Sequence, residues 1–282
     1  MANKKNPFDI SAISNRITTQ RWGQLYGCSY GLALKNLQKN HQSPLVIVTP
    51  DISAARDIAT QINFFRTNNT KDSTVLTFPD WETLPYDKFS PHEDIISSRI
   101  LTLSKLLEAE KSTLVLPISA LLQRLCPKKH IESNSTDFKV GSIIEIKEIK
   151  DKLLNLGYRN ATIVETHGEF ATRGSIVDIY PMGHQSPYRL DFADNEIETI
   201  RSFNPIDQLT LDMCSNIQIL PSHEYQINPE SMKTFRRNYR NYFEKNPHDD
   251  DVYNNIENFN YAAGIEYYIP LFFEYSESIF DY

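Results

Sequence analysis

The sequence predicts an α/β protein: an open sheet domain followed by a smaller antiparallel α+β unit. Up to about residue 127, short continuous apolar runs of the kind buried in parallel sheets alternate with amphipathic helical patterns. From about 128 to 220 the runs become alternating strands joined by Gly, Pro and Asp-Asn turns. The two patterns call for different sheets.

The first element is the stretch "LYGCSYGLALKNL" at 25–37, a small-residue turn entering an apolar helix. Nucleotide-binding loops begin this way, so it must be tested against their chemistry. In G-x-x-x-x-G-K-[ST], backbone amides cradle phosphates, a lysine neutralises them and a hydroxyl ligates magnesium. Gly27 can start such a turn, but Leu32, Ala33 and Leu34 stand where the second Gly, the Lys and the Ser/Thr belong. Lys35 comes two positions late, and on a helix it would point away from a loop built around Ala33. The loop is degenerate, and no cofactor is expected.

"LVIVT" at 45–49 is the first strand, and Asp51 then caps a helix with Ala55, Ile58, Ala59, Ile62 and Phe65 on one face. "TVLTF" at 74–78 and "TLVLP" at 113–117 are the next strands, which predicts right-handed crossovers in an open sheet. Between them, "PDWETLPYDKFSP" is broken by three prolines and ordered by Trp81, Tyr86 and Phe89. Its acids Asp80, Glu82 and Asp87 could serve acid-base chemistry, although solvated loop acids are far commoner. The following helix is predicted to start with Ser90 as N-cap, Pro91 at N1 and Glu93 closing a capping box. Ile96, Ile100, Leu103 and Leu107 form its buried stripe.

In the second segment, "KVGSIIEI", "ATIVE", "SIVDIY", "YRLDF" and "EIETIRSF" are predicted strands, with a helix at about 148–156 ended by Gly157. Alternation puts Tyr188, Leu190 and Phe192 on one face and Arg189, Asp191 and Ala193 on the other, toward water or a partner. From 221 a helix is expected at "PESMKTFRRNYRNYFEK", then a polar loop with Asp249, Asp250 and Asp251. The apolar end "AAGIEYYIPLFFEYSESIFDY" is expected to need more chain to cover it, as in a fragment of something longer. The expected organisation is three segments: 1–127, 128–220 and 221–282.

Composition narrows function. The 282 residues are 40% hydrophobic and 23% charged, ordinary for a soluble globular protein, and the net charge of −7 removes nonspecific DNA binding as a default. Cys28, Cys126 and Cys214 lie far apart without C-x-x-C, which argues against a disulfide framework and a zinc knuckle. No signal h-region or membrane-length run occurs, so the expected location is cytoplasmic, with no membrane partner. H-E-x-x-H, G-x-S-x-G and G-x-G-x-x-G are absent, and none of the seven histidines has a partner at ligand spacing. A binding module is favoured over an enzyme.

Four stretches are distinctive: "DWETLPYDKFSPHEDIISSRILTL" (80–103), "HGEFATRGSIVDIYPMG" (167–183), "PYRLDFADNEIETIRSF" (187–203) and "AGIEYYIPLFF" (263–273). In this order they closely resemble the N-terminal region of the Mfd family, the bacterial transcription-repair coupling factors, which is similar to UvrB. The resemblance implies a UvrB-like first domain (1–127) with a degenerate phosphate loop, an inserted UvrA-binding domain (128–220) and a return to the first domain (221–282). It also implies that motor and RNA-polymerase-binding domains, with their ATP and DNA contacts, lie further along the full-length family protein. The family's UvrA-contacting arginines, in "TRG" and "YRLDF", match Arg173 and Arg189. At Ala193 the family often carries a second aromatic, so an apolar anchor is missing where interfaces favour one. The expected role is noncatalytic: recruiting UvrA to stalled RNA polymerase in nucleotide excision repair. The alternatives are an ATPase or helicase using residual nucleotide binding, and single-strand nucleic-acid binding by aromatics with Arg236, Arg237 and Arg240.

Overall fold

The computed structural model describes residues 19, 21–40, 44–66, 74–85, 87–109, 111–244, 246–258 and 260–282, so the packing role expected of Tyr86 lies outside the described residues. In chain order the elements begin with α1 (Ser29–Asn40), β1 (Leu45–Thr49), α2 (Ile52–Phe64), β2 (Thr74–Thr77), α3 (Glu93–Glu108), β3 (Ser112–Pro117) and α4 (Ile118–Leu121). They continue with α5 (Lys128–Ser133), β4 (Thr136–Lys139), α6 (Ile146–Asn155), β5 (Arg159–Asn160), β6 (Glu169–Arg173), β7 (Ile176–Ile179) and β8 (Tyr188–Ala193). The last are β9 (Glu196–Phe203), β10 (Thr210–Cys214), β11 (Asn216–Ile219), α7 (Pro229–Tyr242) and α8 (Asp251–Glu257).

The chain divides into two compact units, 1–80 with 105–123, and 81–104 with 124–282. The segments 128–220 and 221–282 therefore share one unit, together with Trp81 and most of α3. In the first unit a parallel sheet of order β1-β3-β2 places the fully buried β3 at its centre. Asp51 caps α2 as expected, its Oδ1 accepting from Ala54 N at 2.8 Å, and Ala55, Ala59 and Ile62 pack on Val115.

In the second unit six strands lie in the order β10-β9-β8-β7-β6-β5, antiparallel except for β5 on β6, and a separate ribbon pairs β4 with β11. One face of the large sheet packs Phe170, Val177, Ile179, Leu190, Ile197 and Ile200 onto Ile149 and Leu153 of α6 and Ile96 and Ile100 of α3. A second core is aromatic: Phe235 and Tyr239 of α7 meet Tyr253, Tyr268, Phe272 and Trp81. This core includes Ile265, Ile269 and Leu271, so the first part of the apolar end segment packs with α7, α8 and Trp81, while Tyr275 and Phe280 further along are exposed. Beneath Trp81, the buried Arg99 pairs with Glu224 at 2.6 Å, its guanidinium 4.7 Å from the indole centroid.

Several local expectations are corrected. Helix α3 starts at Glu93, with Ile95 N and Ile96 N both donating to His92 O, so Ser90 is not its cap. The Ser90 hydroxyl instead accepts from Gly264 N at 3.3 Å. "ATIVE" is not a strand: pairing ends at Asn160, and the amides of Glu165 and Thr166 donate to the Glu169 carboxylate rather than to a neighbouring strand. In "KVGSIIEI" only Lys139 lies in a strand; Gly141 turns the chain at φ +83° and Ile143 makes an isolated bridge to Glu196. Phe89 is exposed rather than packed.

Candidate protein-interaction face

The six-stranded sheet has one face on the main core, while the other holds a small buried cluster of Val164, Ala171, Tyr180 and Phe203 and is otherwise turned outward; register fixes what this outer face carries. One row across it reads Ala171, Asp178, Arg189, Arg201, Met213, from β6 to β10. The next row reads Arg173, Ile176, Asp191, Thr199. Alternation along β8 holds as expected: Leu190 and Phe192 are buried while Arg189, Asp191 and Ala193 face outward.

Arg189 is not a free surface arginine. Its Nε donates to Asp178 Oδ1 at 2.7 Å and its Nη2 to Asp178 Oδ2 at 2.9 Å, a bidentate pair with the directly opposed residue of β7. Its Cζ sits 4.8 Å from the Phe203 ring centroid and Nη2 reaches Gln208 Oε1 at 3.4 Å. These contacts leave its side chain 20% exposed, and bonding to Asp178 raises its pKa further above the usual arginine value. Arg173, before the Gly174 turn at φ +58°, is 52% exposed and places Nη2 3.6 Å from the same Asp178 carboxylate. The two sequence-predicted arginines are thus brought together around one buried acid. Ala193 is the exposed last residue of β8, opposite Glu196, where the chain turns through Asp194 at φ +55°.

Sequence reading passes over Asp178, whose signal is an acid inside the β-branched run "SIVDIY" at the outward-facing parity. It also gives no account of Arg201, which donates to Asp191 Oδ2 at 2.5 Å beside Thr199 at 2.7 Å. Charge on this face is largely paired. The guanidinium of Arg173 is half exposed, with Nη2 3.6 Å from Asp178, and is accessible to an incoming acidic group.

The residues that the sequence suggested as a degenerate phosphate loop lie in the first unit. Gly27 turns at φ +56°, Leu32 N closes the first turn on Cys28 O, Ala33 is buried and Leu34 packs beside α2. The glycine with a steric reason is Gly31: a Cβ there would stand 2.5 Å from Gln61 Cβ of α2. Its bare backbone lets two helices approach. Lys35 is buried rather than held toward the turn's solvent side. Elsewhere, Asp80 bonds Ser119 and Asp87 Oδ2 accepts from Leu84 N, so these acids act as loop braces. Arg236 pairs with Glu257 and Arg237 with Glu274, while Phe235 and Tyr239 beside them are fully buried and cannot stack on bases. Among the described residues no group of three His, Cys, Asp or Glu is placed to hold a metal ion, and no helix is long and apolar enough to cross a membrane.

Residues 136–225, which contain the whole outward face, match the UvrB interaction domain, and this is the class of module the sheet defines. The chain is 37% identical over 251 residues to the transcription-repair-coupling factor of Escherichia coli and 40% identical over 252 residues to that of Haemophilus influenzae, in each case across 89% of its length. A relative from Bacillus subtilis, also a transcription-repair-coupling factor, is 27% identical over 78% of the chain. The resemblance to Mfd read from the four motifs is therefore borne out: the chain is similar to the transcription-repair-coupling factors over 89% of its length, and its residues 136–225 match the UvrB interaction domain. It spans about a fifth of the length of these relatives, 21% and 22%.

Proposed function

We propose that this chain is a noncatalytic, cytoplasmic docking module that recruits UvrA to stalled RNA polymerase in transcription-coupled excision repair. The observation that carries the reading is the convergence of Arg173 and Arg189 on Asp178 at the outward face of the matched domain. A buried acid that fixes two guanidiniums in place reduces the entropy lost when a carboxylate of a partner binds them. The match over 136–225 supports reading 128–220 as the inserted UvrA-binding segment. Polymerase and DNA contacts, and ATP-driven movement, are assigned to other parts of the full-length protein. The loop at Gly27 is read as a phosphate loop whose helix was kept for packing, with Gly31 serving α2.

The test is co-elution with purified UvrA at low salt. Arg189→Glu would set two carboxylates side by side and disturb the sheet, so Arg173→Glu, at a half-exposed position, is the cleaner variant. Loss of co-elution with an unchanged circular dichroism spectrum is expected. Co-elution retained by both Arg173→Glu and Arg189→Ala overturns the assignment.

A further inference from the structure

Position 193 is small and exposed where an apolar anchor would be expected, and the sheet carries exposed apolar groups at another of its edges. Four large apolar side chains, Ile206, Leu209, Leu211 and Met213, are between 53% and 92% exposed within eight consecutive residues at the β9–β10 end of the sheet. Burying such groups against water is worth roughly 25 cal/mol per Å², so holding them out is costly unless something covers them.

The turn that carries them is built, not loose. Asn204 N donates to Leu209 O at 2.9 Å, Gln208 N to Asn204 O at 2.8 Å, Ile206 N to Asn204 Oδ1 at 2.9 Å and Leu209 N to Asp207 Oδ1 at 3.0 Å. Gln208 adopts φ +62° and its amide reaches Pro205 O at 2.8 Å while its Oε1 touches Arg189 Nη2. The turn is thus tied directly to the arginine site. Met213 continues the row: it opposes Arg201, which opposes Arg189, so it stands two strands, about 10 Å, from that arginine on the same face.

We propose that Ile206, Leu209 and Met213 form the apolar half of the docking face, and that the partner engaging Arg173 and Arg189 lays a nonpolar strip against them, in place of an anchor at Ala193. The inference rests on the UvrA reading above. Its occupant follows from continuity: a patch of ordinary interface size centred on Arg189 reaches Met213, and a partner with acids opposite the arginines meets the shelf next. Charge then supplies orientation and encounter rate, and the shelf supplies residence time.

The experiment is titration calorimetry of the chain with purified UvrA at low and high salt, comparing wild type, Arg173→Glu and the double variant Ile206→Asp, Met213→Asp. Both double-variant sites are exposed, so an unchanged melting temperature is the fold control. The expected result is a loss of about tenfold or more in affinity for the double variant at both salt concentrations, and a loss for Arg173→Glu that shrinks at high salt. If Arg173→Glu weakens binding while the double variant stays within about twofold of wild type, the shelf is overturned and the UvrA reading stands. A wild type that does not bind UvrA overturns both. A wild-type dimer in sedimentation that the double variant dissolves makes the shelf a self-association surface and also overturns the inference.

Discussion

Asp178 carries the arginine site, because its carboxylate is 2% exposed and is paired with the guanidiniums of Arg173 and Arg189. An acid so placed is tolerable while both oxygens accept charge-assisted bonds, and Arg189 supplies two in a plane. Removing it leaves Arg189 against Phe203 without its counter-ion, and frees Arg173 to move with the Gly174 turn. Asp178→Ala should cost about 2 kcal/mol in urea denaturation, the scale of hydrogen bonds to a charged group. The same variant should weaken UvrA binding although Asp178 itself is buried, because the arginines lose their alignment. Unchanged urea stability would show that water replaces the carboxylate without penalty, and would remove the argument for preorganisation.

Helix α6 shows what local sequence can specify. Gly157 follows its C-cap Leu156 at φ +86°, Tyr158 N donates to Leu153 O at 2.9 Å and Gly157 N to Leu154 O at 3.0 Å, the paired bonds of a Schellman ending. A Cβ at 157 would also meet Ser222 Oγ at 2.5 Å, where that hydroxyl bonds His223 Nδ1. Gly157→Ala should therefore lose about 2 kcal/mol, from the left-handed backbone and the collision together, measured as a lower urea midpoint at constant slope. Signals of this kind, completed within a few residues, made α2 with its Asp51 cap, the end of α6, the buried β3 and the two faces of β8 legible beforehand. What was not legible depended on distant chain. Ser90 has the sequence of a cap, but its hydroxyl is taken by Gly264, 174 residues away. The 161–165 run has strand composition, but Glu169 takes the amides of Glu165 and Thr166. At the site, alternation gave the side on which Arg189 lies, not that Asp178 waits across the register to hold it.

At the scale of the whole molecule, buried titratable groups set how stability depends on pH. Burial pushes the Glu266 carboxyl up to about 7 from 4.5, and its Oε2 has no hydrogen-bond partner. Burial acts oppositely on imidazoles: it pulls His223 down to about 4 and lowers His130 and His184 from 6.5. Glu266, raised on folding, adds stability that is complete below about pH 4.5 and is lost as pH rises through about 7. The histidines, lowered on folding, add stability present above about pH 6.5 and lost as pH falls, for His223 down through about 4. Between pH 4.5 and 6.5 the histidines and Glu266 oppose each other; from 6.5 to about 7 only Glu266 of this set still titrates, and its contribution declines. Glu266→Gln removes the group that must ionise beside Glu224, so it should abolish the decline and raise stability at pH 8 by on the order of 2 kcal/mol. Urea midpoints of both proteins across pH 5 to 8 check this, and an equal decline in the variant would place the responsible group elsewhere.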